Sequence, residues 1–208
     1  IMLLANNISF YRNNNIIFKD VSLALPPQKI INITGANGIG KTTLLKILTH
    51  VLIPKKGNIF WNGKNIKKNL FNYYKDVTFV MDKQTSNINL SVIENIFFWK
   101  KLFSSIISKK EIDAILDLLS LDSYRNTPIN YLSNGEIKKL ELTRLIIERK
   151  KLWMLDEPYI GLDIETINLL NETFIKHTKS GGMIIFSSHY VPDIPNIENL
   201  QLENYAQR

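Results

Sequence analysis

The residues with the clearest capacity for chemistry are Gly35-Ala36-Asn37-Gly38-Ile39-Gly40-Lys41-Thr42. Glycine at the first and sixth positions, followed by lysine and a hydroxyl residue, is the P-loop spacing, in which backbone N–H groups turn inward around phosphates. The run lies between an apolar stretch of strand character and a stretch of helical spacing, so the positive end of a helix dipole adds to the cradle. Lys41 is placed to reach the β and γ phosphates, and Thr42, with Thr43 beside it, to hold magnesium. The ligand this implies is a magnesium-bound nucleoside triphosphate, ATP in the first instance.

A second cluster lies more than a hundred residues downstream, where Leu152-Trp153-Met154-Leu155 delivers Asp156 and Glu157 to its end. In helix-flanked parallel sheets, ligands bind at the carboxyl ends of the strands. There Asp156 is expected to contact magnesium, directly or through water, and Glu157 to polarise an attacking water as general base. Adjacent carboxylates at a strand end also suit a solvated turn, and pairing with the P-loop favours the chemical reading. Between the two clusters, Leu132-Ser133-Asn134-Gly135-Glu136 opens a helical stretch, and Ser133 with Glu136 has the spacing of a capping box.

These residues need elements to hold them. Leu3 to Leu25 alternates apolar and polar positions around Asn13-Asn14-Asn15 and reads as a β-hairpin closed by Pro26 and Pro27. Ile30–Thr34 is a short buried strand and Lys41–Leu52 a helix. A turn at Pro54 to Gly57, a strand at Asn58–Trp61 and an Asn62-Gly63 turn follow. Val77–Met81 reads as a strand, and Ser91 to about Leu121 as mainly helical, with Ser91 and Glu94 as a capping box. The helix after Leu132 runs to about Arg149 with Ile137, Leu140, Leu145 and Ile146 on its apolar face. Strand Leu152–Leu155, helix Ile164–Lys176, a break at Gly181-Gly182 and strand Met183–Phe186 complete the pattern. Alternating strands and helices predict an α/β fold around a parallel sheet.

Leu132-Ser133-Asn134-Gly135-Glu136 resembles Leu-Ser-Gly-Gly-Gln, the signature of ABC ATPases, and with the P-loop and Asp156-Glu157 it identifies the chain as resembling that family over essentially its whole length. Asn134 replaces a glycine and Glu136 the glutamine; asparagine tolerates left-handed backbone better than most residues, whereas a carboxylate near phosphate is less comfortable. The resemblance implies a P-loop NTPase fold. A RecA-like parallel-sheet core and an N-terminal antiparallel β subdomain span roughly residues 1–84 and 150–208, and a helical subdomain of roughly residues 85–149 is inserted, all within one domain.

It further implies that Ser133 and Gly135 of one copy close over ATP on the P-loop of a second copy. Asp163, in Gly161-Leu162-Asp163, would lie in the loop that crosses between copies. His189, after Ser187-Ser188, resembles the switch histidine that senses the γ phosphate. Gln84 resembles the glutamine that links magnesium to a membrane partner, with a one-position shift of register left open. Tyr11 resembles the aromatic that stacks on adenine, or is simply a strand-face tyrosine. His50 and His177 read as structural or surface residues.

Several segments narrow the resemblance to the ATP-binding subunits of the cytochrome c maturation system, the haem exporters: Ile59-Phe60-Trp61-Asn62-Gly63, the strand through Asp156-Glu157-Pro158, and Gly181-Gly182-Met183-Ile184-Ile185 with Ser187-Ser188-His189. That implies multi-spanning, haem-handling membrane subunits as partners and an ATP cycle that helps release a haem-loaded chaperone. The chain would lie on the cytoplasmic face of a bacterial inner membrane or the matrix face of a mitochondrial one. With no cysteine and no persuasive haem ligand, haem is expected to be handled by other subunits. Two other readings stand beside it: the ATPase of another ABC importer or exporter, and a soluble ABC-type protein acting on nucleic acid or ribosomes. The net charge of +7 prompts the last, but Lys, Ile and Asn are abundant throughout, as AT-rich coding would produce, and no basic stretch interleaves with aromatics, so no nucleic-acid partner is expected. Disulfides and thiolate metal sites are excluded, and no apolar run is long enough to span a bilayer. The N-terminus lacks the pattern of a signal or transit peptide.

Overall fold

The computed structural model describes residues 2–13 and 15–206; Asn14, in the middle of the predicted hairpin turn, lies outside them. The alternating N-terminal segment forms β1 (Leu3–Arg12) and β2 (Asn15–Leu25), antiparallel with Leu3 opposite Leu25. β4 (Lys56–Trp61) pairs antiparallel on the other side of β1, and β5 (Lys64–Asn65) returns from it. The two-residue turn between them uses Asn62 and Gly63, at φ of 52° and 75°, the left-handed pair that a tight hairpin requires. The resulting antiparallel sheet has the order β2-β1-β4-β5.

The second sheet is parallel throughout, in the order β6-β7-β8-β3-β9. Its members are β3 (Ile30–Thr34), β6 (Val77–Val80), β7 (Leu152–Asp156), β8 (Met183–Ser187) and β9 (Ile197–Gln201). β7 and β8 are buried at every position, which is why they read as unbroken apolar runs and not as alternating ones. α1 (Lys41–Leu48) follows β3 and buries Leu44, Leu45, Ile47 and Leu48 against the main core. It stops short of the predicted Leu52: the Thr49 hydroxyl donates back to the Leu45 carbonyl and His50 takes φ 59°, which no helix continues.

Between β6 and β7 lie α3 (Val92–Leu102), α4 (Lys109–Leu118) and α5 (Asn134–Glu148), which share an apolar cluster of their own including Ile96, Leu116 and Leu140. Serine–glutamate capping boxes start all three, at Ser91/Glu94, Ser108/Glu111 and Ser133/Glu136. Truncating one of these buried aliphatic residues to alanine costs about 2–5 kcal/mol. α6 (Ile164–Lys179) then packs under the parallel sheet through Leu170 and Phe174, running three residues past the expected Lys176.

Several elements were not expected from the sequence, among them a helix, an edge strand and a C-terminal turn. α2 (Leu70–Asp76) precedes β6, and β9 adds a parallel edge strand beside β3, with Ile30 opposite Ile197. β9 leads into a short 3-10 turn, Leu202–Tyr205, anchored by fully buried Leu202.

Candidate nucleotide site

The loop from β3 to α1 turns at three glycines with positive φ, and Gly40 (φ 114°) shows most clearly why. A Cβ there would lie 2.7 Å from Ile17 Cγ2, so both backbone conformation and space demand glycine. Gly38, at φ 79°, faces open space, leaving its backbone approachable. No side chain caps α1, whose N-cap is Gly40. The first-turn N–H groups, those of Lys41, Thr42 and Thr43, therefore keep their capacity for an anion at the positive end of the dipole. Ile17 also brings the β1–β2 hairpin against this loop. Half-buried Tyr11, opposite Ile16 in that ladder, is thereby on the hairpin that flanks the cradle.

Parallel pairing of β7 with β8 sets Asp156 level with Ser187. Asp156 Oδ1 accepts from the Ser187 hydroxyl at 2.7 Å and from the Thr42 hydroxyl at 3.0 Å, and the residue is almost fully buried. Glu157 turns out of the strand at φ 45°, a conformation strained for a residue with a long side chain. Its N–H donates to Ser187, to the backbone carbonyl at 3.0 Å and to the hydroxyl oxygen at 3.1 Å. Two hydrogen bonds thus hold the turn that aims its carboxylate back at the loop, where Glu157 Oε1 lies 3.7 Å from both Lys41 Nζ and His189 Nε2.

Lys41 Nζ also donates to the Gly35 carbonyl at 2.9 Å and meets His189 Nε2 at 2.8 Å. Asn37 Oδ1 lies 2.7 Å from the same nitrogen, so Lys41 and Asn37 both converge on His189 Nε2. The first amide of the loop is held from elsewhere: Ala36 N–H donates to Glu203 Oε1 at 2.7 Å, and Glu203 comes from the unexpected C-terminal turn.

Lys41, Thr42, Asp156, Glu157 and His189 therefore converge from three strand ends. The donor chemistry fits magnesium: Thr42 and Asp156 bring two hard oxygens to one point, and no cluster of three or more His, Cys, Asp or Glu suited to a metal is found among the described residues. Magnesium characteristically takes few protein ligands and fills its sphere with water and phosphate oxygens.

Ser133, Gly135 and Asp163 lie together around the start of α5. Ser133 is exposed and caps α5, accepting from Glu136 N–H at 3.3 Å, while Glu136 Oε2 accepts from Ser133 N–H at 2.7 Å. Burial pulls the Glu136 carboxyl upward, but the Ser133 N–H, the Tyr124 hydroxyl and Lys139 together hold it below its usual range. A Cβ on Gly135 would lie 2.9 Å from the Gly161 carbonyl, so the helix tip touches the Gly161-Leu162-Asp163 loop. Asp163 caps α6 through Thr166 N–H (2.8 Å) and pairs with Lys139 Nζ (2.7 Å). Lys139, first, and the two Thr166 donors keep this carboxyl well below the ordinary carboxylate range.

Gln84 Nε2 donates to the Ser86 carbonyl at 3.2 Å. Asp82, two residues nearer β6, is linked to the centre through Lys138, whose Nζ stands 3.6 Å from Asp82 Oδ1 and 3.5 Å from the Asp156 carbonyl. Sequence reasoning missed Asp82, Lys138, Ser187 and Glu203. Ser187 had a signal, since it ends an apolar run as Asp156 does; the others are brought in only by tertiary packing. His177 is structural, as expected, stacked on Trp153 with ring centroids 3.6 Å apart.

The family model described as ABC transporter matches residues 18–160. The chain is similar to the cytochrome c biogenesis ATP-binding export protein CcmA of Reclinomonas americana, with 37% identity over 90% of this chain and 84% of the relative. It is also similar to the protein of that name from Idiomarina loihiensis, 32% identical over 97% of this chain and 93% of the relative. Among solved structures, a putative ABC transporter ATP-binding protein from Pyrococcus furiosus superposes with a TM-score of 0.84, covering both chains fully at 23% identity. An ATP-binding cassette solved as a dimer in a post-hydrolysis state with ADP and Pi superposes with a TM-score of 0.79 at 18% identity, over 96% of this chain and 94% of that one. With its phosphate cradle facing a carboxylate pair across the ends of a parallel sheet, this chain belongs to the ABC transporter family, as an ATP-binding and ATP-hydrolysing subunit.

Proposed function

We propose that the chain is the ATPase of a membrane complex in cytochrome c maturation, and that its cycle powers release of a haem-loaded chaperone. The likeness to cytochrome c biogenesis ATP-binding export proteins supports the pathway, and the convergence of Lys41, Thr42, Asp156, Glu157 and His189 supports the chemistry. The P-loop from Gly35 to Thr43 binds the phosphates and Tyr11 the adenine. Thr42 and Asp156 would hold magnesium, which when bound would offset phosphate charge. Glu157 takes a proton from water as the water oxygen bonds to the γ phosphorus and the bond to the β,γ-bridging oxygen breaks, leaving ADP and phosphate. His189, beside Lys41 and Glu157, senses the γ phosphate.

Two copies form the working unit. The exposed Ser133 tip and Gly135 of one copy close over ATP on the other, and Asp163 crosses between them. The stretch from about residue 85 to 149 acts as a subdomain that carries this tip against the sheet core. Multi-spanning membrane subunits supply the docking site on the inner membrane, on its cytoplasmic face in a bacterium or matrix face in a mitochondrion. No helix among the described residues is long and apolar enough to cross a membrane, so attachment falls to those partners. Gln84 lies in the loop that meets them, and haem is ligated elsewhere.

Sedimentation of a Glu157→Gln variant tests the reading. With Mg-ATP it is expected to form a dimer that persists without turnover; a monomer at saturating Mg-ATP overturns the sandwich. Co-purification with haem-handling membrane proteins tests the pathway, and recovery with an unrelated permease replaces it with the ATPase of another transporter.

A further inference from the structure

Four charged residues of α5, Lys138, Glu141, Arg144 and Glu148, are spaced by three, three and four positions and so lie along one helix face. They alternate in sign and are only 8%, 2%, 9% and 6% exposed. Charged side chains are seldom buried unless fully paired, and each of these four, besides Lys138 on the Asp156 carbonyl and the Arg144–Glu148 pair within the helix, meets β6 or the loop after it. Lys138 meets Asp82. Glu141 Oε1 accepts from Thr85 N–H at 2.7 Å and Ser86 N–H at 2.6 Å, and its Oε2 accepts from the Thr85 hydroxyl at 2.5 Å. Arg144 donates to the Thr85 hydroxyl oxygen at 3.2 Å and to Glu148 at 2.8 Å, and Glu148 accepts from the Thr78 hydroxyl on β6 at 2.8 Å.

We propose that Glu141 is a positioning residue: its carboxylate clamps the Asp82–Ser86 loop onto the helix that Ser133 opens, so that the loop and the helix tip move as one body. A carboxylate holding two consecutive backbone N–H groups fixes the loop's backbone as well as its side chains, which a salt bridge between two long side chains does not. Asp82, four residues before Ser86, stays tied to Lys138 one helical turn before Glu141. The same unit therefore reaches from the strand end beside Asp156 to the tip at Ser133. Displacement of the loop, whether by nucleotide at the sheet edge or by a docked partner, is carried along α5 without a hinge between them. The clamp is a property of the single chain; only its use to move Ser133 over a second copy's ATP rests on the function proposed above.

The test is backbone hydrogen exchange on the full chain, with and without Mg-ADP, in the parent, Glu141→Ala and Glu141→Gln. Alanine removes all three acceptor contacts and is expected to speed exchange at Thr85 and Ser86 at least tenfold. Glutamine is isosteric: one oxygen still accepts both N–H groups and its NH2 can donate to the Thr85 hydroxyl, so exchange is expected to stay within about threefold of the parent. In the parent, Mg-ADP is expected to change exchange at residues 82–86 and 133–137 together. In Glu141→Ala the P-loop remains protected by Mg-ADP while the response at 133–137 falls at least severalfold. Thr85→Val, at an exposed position, removes the hydroxyl contacts alone and gives an intermediate effect should the alanine variant fold poorly. Parental exchange at Thr85 and Ser86 in Glu141→Ala, or an undiminished response at 133–137, overturns the proposal. If Mg-ADP protects nothing in the parent P-loop, the nucleotide assignment fails, and the exchange rates of Thr85 and Ser86 alone decide the clamp.

Discussion

The Thr42 hydroxyl donates to the Asp156 carboxylate over 3.0 Å, joining positions 114 residues apart in the chain. One comes from the first turn of a helix, the other from the end of a strand two places away in the sheet, and the contact exists only because β3, β8 and β7 are neighbours in parallel register. Where these two oxygens meet is where magnesium is expected. Thr42→Val keeps the shape and removes the oxygen. Mg2+ titration of ATP turnover in the assembled complex should show the half-saturating concentration rising at least tenfold in Thr42→Val, with Asp156→Asn affected as strongly or more.

Gly135 tests the packing of the helix tip. An added methyl group meets the Gly161 carbonyl at 2.9 Å, a backbone atom that cannot swing aside. Gly135→Ala should lower unfolding stability by about 1–3 kcal/mol in urea, although alanine is the better helix former. A stabilised Gly135→Ala protein contradicts the packing described between α5 and the Gly161 loop.

Asp163 serves that loop in a second way, as the cap of α6. Asp163→Ala should cost about 1 kcal/mol of stability, the usual effect of losing such a cap, whereas Asp163→Asn keeps the acceptor and should lose much less. Equal losses in chemical denaturation would assign the effect to the Lys139 ion pair instead.

His177 predicts a pH dependence of stability. Burial against Trp153 pushes its pKa down from 6.5 to about 4. Below pH 6.5 the unfolded chain takes up a proton that the folded one refuses until about pH 4. This contribution is therefore fully present above pH 6.5 and is lost as the pH falls through that window, by on the order of 3 kcal/mol at most. His177→Phe keeps an aromatic ring against Trp153 and should flatten the slope between pH 6.5 and 4; an unchanged slope would assign it to other groups.

Local signals made the reaction centre legible in the sequence. Gly35–Thr42 sits between a strand and a helix that its neighbours announce, and Asp156-Glu157 ends an apolar run whose burial on both faces leaves no alternation to misread. What stayed hidden depended on packing. β9 reads Ile-Glu-Asn-Leu-Gln, polar enough for a loop, because it is an edge strand with one side open, and Glu203 was hidden with it. α2 was masked by asparagine and aromatic residues of middling helix propensity. Gln84 drew attention by its resemblance to a family glutamine, with its register open by one position, because the position of a loop residue depends on how the loop is anchored, and Glu141 anchors this one from a different element. The apolar face of α5 was visible, whereas its buried charged face looks in sequence like an ordinary solvated one.

The central claim is that Gly35–Thr43 and Asp156-Glu157 form one ATP site. Titration of the purified chain with a fluorescent ATP analogue and Mg2+, followed by displacement with ATP, measures it most directly. Saturable 1:1 binding is predicted for the parent and for Glu157→Gln, with affinity at least tenfold weaker in Lys41→Ala. Equal affinity in Lys41→Ala, or no saturable binding by the parent, would contradict the account.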